Sequence, residues 1–131
     1  MRLAISLLLL SACASSKHAW IEDEVHVAAA EHRPLVVEFH ARWCEPCKQF
    51  EQTVLPDPRV QQALTTVHFV SYDGDSSVGK DAMSRCAVNS FPTFLVIDGK
   101  GTVRMKKVGS GGGVDEFLRF LELARAQTGG S

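Results

Sequence analysis

The apolar run LVVEF, residues 35–39, leads almost directly into a Cys-x-x-Cys pair, Cys44 and Cys47 in RWCEPCKQF. No other feature constrains the fold as strongly. A short Val-rich run is a buried strand. From Cys44 onward, Cys47, Phe50 and Val54 are spaced like one face of a helix. Pro46 falls in the first turn, where its missing N–H costs nothing. A strand running into a helix N-terminus presents orphan backbone N–H groups and the positive end of the dipole, which stabilise negative charge. A thiol there ionises more readily than free Cys, whose pKa is about 8.5. Position alone therefore makes Cys44 the exposed nucleophile and Cys47 the resolving thiol, with Glu45 and Pro46 between them as tuning residues. Other uses of the pair fit less well. Structural zinc wants four ligands. Cys13 and Cys86 are isolated, and His40 brings no fourth partner, so no metal is expected. Haem attachment needs His after the second Cys, where Lys48 stands. A structural staple usually clips a longer loop.

The compartment matters for a dithiol, and the N-terminus bears on it. Residues 1–13, MRLAISLLLLSAC, carry one Arg, an apolar run and then small residues. The run is far short of the about 20 apolar residues that span a bilayer, and it reads as an export signal. Two cleavage readings fit. Leu10-Ser11-Ala12-Cys13 resembles the bacterial lipobox, which implies a lipidated Cys13 and a membrane anchor. Ala12-Cys13-Ala14 also matches an ordinary signal-peptidase site. The shortness of the signal favours lipidation. Residues 14–19, small and polar, then form a tether; residues 20–127 form one domain; residues 128–131 form a frayed tail. With 14 basic and 15 acidic residues the net charge is −1 and no basic patch stands out, so nucleic acid is not an expected partner.

The periodicities predict a helix over 20–33 ended by Pro34, with Ile21, Val25 and Ala28 or Ala29 on one face. Strands follow at 35–39, 67–72 and 93–97, and a half-exposed strand at 102–107 after the turn Asp98-Gly99-Lys100-Gly101. Ser76 caps a helix carrying Val78, Ala82, Met83 and Cys86 on one stripe, and Cys86 reads as a buried small hydrophobe, with regulation by oxidation as the alternative. Val60 and Leu64 suit a further short helix, and Val114, Phe117, Leu118 and Leu121 mark the last one. Helix-linked strands imply parallel pairing, and the terminal hairpin adds an antiparallel strand.

EFHARWCEPCKQF resembles the active-site strand and helix of the thioredoxin family, and Ser90-Phe91-Pro92-Thr93 resembles its cis-proline signature. CKQFEQTVLPDPRVQQAL is similar to the C-terminal domain of the thiol reductase DsbD and to related thioredoxin-like lipoproteins. The resemblance runs from Pro34 to about Arg125. It implies an α/β thioredoxin fold, a central mixed sheet flanked by helices, here with an N-terminal helix extension. It also implies Pro92 beside the Cys pair, with adjacent backbone receiving an extended substrate segment as an added strand. Phe91 would narrow that groove, and Trp43 would either form its apolar rim or simply pack. Glu38 stands where the family has a buried Asp beneath the resolving Cys, and a desolvated carboxyl there would take its proton; an exposed strand edge is the other reading. His40 replaces a usual aromatic, with packing as its expected role and tuning of the site as the alternative.

The expected activity is thiol–disulfide exchange on protein disulfides in the bacterial cell envelope, with no cofactor beyond the Cys44–Cys47 disulfide. A monomer fed by a membrane thiol donor such as DsbD is expected. Glu45, beside the nucleophile, opposes its thiolate and favours the reducing direction. A reductase of cytochrome c maturation and a non-catalytic binding module are the alternatives.

Overall fold

The structure, a computed structural model, describes residues 19–128. Its elements run α1 (Ala19–Ala30), β1 (Leu35–His40), α2 (Glu45–Thr53), α3 (Pro58–Leu64), β2 (His68–Asp73), α4 (Ser77–Arg85), β3 (Thr93–Ile97), β4 (Val103–Val108) and α5 (Gly113–Thr128). The four strands form one mixed sheet in the order β2-β1-β3-β4. β1 and β3, buried throughout apart from the end residue His40, are the central pair, as continuous apolar runs require. β4 alternates half-buried and exposed along its length.

Among the described residues, parallel pairing holds for β1 with β2 only. β3 also follows a helix, yet it skips β2 and runs antiparallel to β1, with Glu38 opposite Phe94. The chain returns across the sheet instead of making a second parallel crossover. β4 then pairs antiparallel with β3.

Alternation along β1 sends side chains to two cores. Val36 meets Phe50 and Val54 of α2, Val60 of α3 and Phe117, Phe120, Leu121 and Ala124 of α5. Leu35, Val37 and Phe39 meet Val25 and Ala28 of α1 and Ala82 of α4 on the other side.

Local chemistry sets the helix ends. Asp57 caps α3, accepting the Arg59 N–H at 2.8 Å, and Pro58 opens this helix, the short one that Val60 and Leu64 suggested. Ser76 caps α4, accepting the Gly79 N–H at 2.9 Å. α1 stops at Ala30, before Pro34, with His32 turning the chain at φ 54°. Two readings of α4 need correction. Val78 is exposed, and Cys86 is the C-cap rather than part of the buried stripe. Cys86 is half-buried against the α1-side core and is not a free thiol, so it is not the inert buried thiol expected.

Among the described residues no helix is long and apolar enough to cross a membrane. Residues 1–18, including Cys13 and the expected signal and tether up to Lys17-His18, lie outside the described residues.

Candidate active site

β1 ends at His40, and a tight turn closes with the Cys44 N–H donating to the Ala41 carbonyl at 3.1 Å. Cys44 is then the N-cap of α2, in extended backbone conformation. Its sulfur takes the place a Ser or Asp oxygen usually fills, accepting the Cys47 N–H at 3.2 Å. Pro46 lies in the first helical turn, as its chemistry demands. Cys44 Sγ thus accepts a backbone N–H at the positive end of α2, where a thiolate is favoured. Cys44 and Cys47 are joined in a disulfide, with their Cα atoms 5.3 Å apart.

The sequence suggested that Cys44 would be exposed. In the disulfide it is only 3% exposed, and Cys47 1%. Ala41 and Phe91 pack against the pair and close it off.

Phe91 precedes Pro92 across a cis peptide bond, and its ring meets Trp43 edge-on at 5.6 Å. Trp43 is 67% exposed, but its indole N–H donates to Asp75 at 2.8 Å, so it is a held rim rather than core packing. Phe91 also lies against Gly74, where any Cβ would collide with the ring. The Pro92 carbonyl is already committed to the sheet, accepting the Gly109 N–H at 2.7 Å. Trp43, Phe91 and the loop at 73–75 therefore form one wall beside the disulfide. Arg42 reaches Asp73 at 3.9 Å from an almost fully exposed position, a contact of little energetic weight.

The two carboxylates singled out in the sequence have different surroundings. Glu45 faces solvent and reaches Lys48 at 3.8 Å, so a cation offsets the negative charge beside Cys44. Glu38 is 2% exposed, which removes the exposed-edge reading. It shares the sheet face of Val36, beneath α2, whose Cys47, Phe50 and Glu51 lie on successive turns. Burial pushes the Glu38 carboxyl above the usual range; Ser71 and then His40 draw it back, and Glu51 adds to the rise. Ser71 Oγ donates to Glu38 Oε2 at 2.8 Å, while Oε1 is buried without a hydrogen-bond partner among the described residues.

Phe91 thus packs on Cys44 and Cys47 and meets Trp43, Pro92 follows it across the cis bond, and Glu38 lies under the same helix. Asp75, Gly74 and Ser71 were not singled out in the sequence. The stretch Asp73-Gly74-Asp75 carries ordinary turn residues, and nothing local shows that it reaches Trp43.

These features define a thioredoxin-like site. A family model described as thioredoxin-like matches residues 16–99, most of the chain, and the chain belongs to that family. Within it, the chain is 34% identical over 83 residues to the thiol:disulfide interchange protein DsbD of Salmonella paratyphi A, covering 60% of this chain and 15% of that one. The match to the Escherichia coli K12 protein of the same name is 31% over 83 residues, again spanning 15% of the relative. The chain therefore spans only a small part of these relatives. Among solved structures, a Thermus thermophilus thioredoxin superposes with TM-score 0.70 at 28% identity, covering 82% of this chain and 85% of that one. The oxidised C-terminal domain of Neisseria meningitidis DsbD superposes with TM-score 0.69 at 23% identity, covering 83% and 97%; at that identity the likeness speaks to the fold.

Proposed function

We propose that this chain is a thiol–disulfide oxidoreductase of the bacterial cell envelope that reduces protein disulfides through Cys44 and Cys47. The observation that carries the reading is the sulfur of Cys44 serving as the N-cap of α2 and accepting the Cys47 N–H. In the reduced protein, Cys44 thiolate attacks one sulfur of a substrate disulfide. A Cys44–substrate bond forms and the other substrate sulfur leaves as thiolate. Cys47 then gives its proton to the Glu38 carboxylate and attacks Cys44 Sγ. The Cys44–Cys47 disulfide forms and the second substrate thiolate departs. A dithiol donor must return two electrons to the pair, and a membrane protein of the DsbD kind fits that need. Trp43 and Phe91 provide the apolar wall against which a substrate segment lies. The apolar run and Cys13 of the N-terminal sequence support export and lipid anchoring.

The test is turnover of a protein disulfide such as insulin with a small dithiol donor. Wild type turns over and Cys44→Ser does not, while Cys47→Ala accumulates a mixed disulfide on Cys44. Retained turnover in Cys44→Ser would sink the reading in favour of a binding module.

A further inference from the structure

Among the described residues the Glu38 carboxyl has one hydrogen-bond partner, and that partner belongs to an edge strand. Ser71 stands opposite Glu38 in the parallel β1–β2 register and is itself exposed. Its hydroxyl spans the step between solvent and a carboxyl that is otherwise sealed under α2. The second oxygen, Oε1, is buried with nothing to pair with. A buried oxygen left unsatisfied carries a desolvation penalty, and a folded chain that carries one needs a reason for it.

We propose that Ser71 is the positioning residue for the buried acid: its hydroxyl holds Oε2 of Glu38 on the β2 side and leaves Oε1 as the oxygen that takes the Cys47 proton. The inference rests on the oxidoreductase reading above. The geometry separates the two oxygens. One is occupied by a donor that stays in place through the cycle, and the other is free for a proton that comes and goes. The longer Glu side chain has one more rotatable bond than Asp, so an anchor on one oxygen limits where the other can lie. The charged groups that bear on this carboxyl are His40 from its own strand and Glu51 from α2; β2 contributes Ser71, and β3 presents Phe94 opposite it. The Ser71 hydrogen bond also favours the ionised form, the form that accepts a proton.

The proton balance is simple. Cys47 S–H loses its proton to Oε1, the Cys47–Cys44 bond forms, and the Cys44–substrate bond breaks with its electron pair leaving on the substrate sulfur. When the pair is reduced again, Glu38 returns the proton to the emerging Cys47 thiolate.

Single-turnover reduction of a small aromatic disulfide by the reduced full chain reads the two steps separately. Acid quenching, alkylation and mass spectrometry distinguish the mixed disulfide on Cys44 from the closed Cys44–Cys47 pair. In Ser71→Ala the attack step is unchanged. The resolution-versus-pH curve moves to higher pH, with resolution about three- to tenfold slower near neutrality, the range that a lost hydrogen bond to a charged group on a partly exposed partner allows. Ser71→Thr restores the wild-type curve. A Ser71→Ala curve that superposes on wild type, or one lowered equally at every pH, overturns the proposal. Glu38→Gln run in parallel separates the failures. If it slows resolution while Ser71→Ala does not, Ser71 has no positioning role and the buried base stands. If it leaves resolution untouched, the buried base and the role of Ser71 fall together. Retained turnover in Cys44→Ser removes the oxidoreductase reading itself.

Discussion

The two faces of the sheet are built from different materials. On the α2 side, Phe50, Phe94, Phe117 and Phe120 interlock with ring centroids 4.8 to 6.1 Å apart. On the α1 side, Leu35, Val37, Leu95 and Ile97 meet the smaller Val25, Ala28 and Ala82. That side adds a polar clasp: His68 Nε2 lies 2.6 Å from Glu24 and Nδ1 3.4 Å from Glu31, so α1 is tied to the edge strand by charge-bearing groups. The face with the larger, interlocking side chains is also the one that hides an incompletely paired carboxyl. Close packing transmits strain and resists rearrangement. A carboxyl whose second oxygen lacks a partner stays in place there, whereas a loosely packed face would let water in or turn the side chain away.

The largest test of this contrast is a pair of truncations. Phe117→Ala, deep in the aromatic face, should cost about 3–5 kcal/mol in urea unfolding. Val25→Ala, on the α1 face, removes two methyl groups and should cost about 1.6 kcal/mol or less. Equal losses would break the comparison.

Glu38→Gln sharpens it through pH. Burial raises the folded pKa of Glu38 above its unfolded value. The stability that the neutral acid contributes is therefore full below the unfolded pKa and is lost as pH rises through the folded one. Gln cannot ionise and keeps an acceptor for Ser71. The melting temperature of Glu38→Gln should therefore gain on wild type as pH rises. A difference independent of pH would mean that Glu38 titrates alike in the folded and unfolded chains, so that burial does not raise it.

The smallest effect is spectroscopic and reports the other face. Tyr72, the single tyrosine, is pushed up to about 12 by burial and then by the charge of Glu24. Its tyrosinate absorbance should appear near that pH in the folded protein and near pH 10 after unfolding. The linked stability is present below the unfolded value and drains as pH climbs through the folded one. Titration of the native protein at the unfolded value would show that Tyr72 is not shielded on the α1 side.

Much of this architecture was legible because it is written locally. LVVEF and TFLVI declare central strands by composition, and Cys47, Phe50 and Val54 declare a helix face by spacing. Ser76 announced its own cap. What stayed hidden depends on contacts between distant elements. Glu38 interrupts an apolar strand, which marks it as unusual, but only the β1–β2 register shows that Ser71 meets it. Trp43 finds Asp75 across 32 residues. The burial of Cys44 comes from Phe91 leaning over it, and no pattern around RWCEPC contains Phe91. The antiparallel course of β3 is likewise a property of the whole sheet. The preceding helix did not announce it.

Phe91 fills the space that a side chain on residue 74 would need. The two positions are therefore not free to drift independently, although a long stretch of chain separates them. Any larger residue arriving at 74 first would meet the ring and displace the wall beside the disulfide. If Phe91 is first trimmed to Ala, the same substitution at 74 loses its two nearest clashes and has only the flexible Met83 side chain, whose Sδ lies 2.7 Å from the new Cβ, left to displace. The wall of this site can thus be remade only in one order, by trimming before growing, and its history and its redesign are bound by the same sequence of steps.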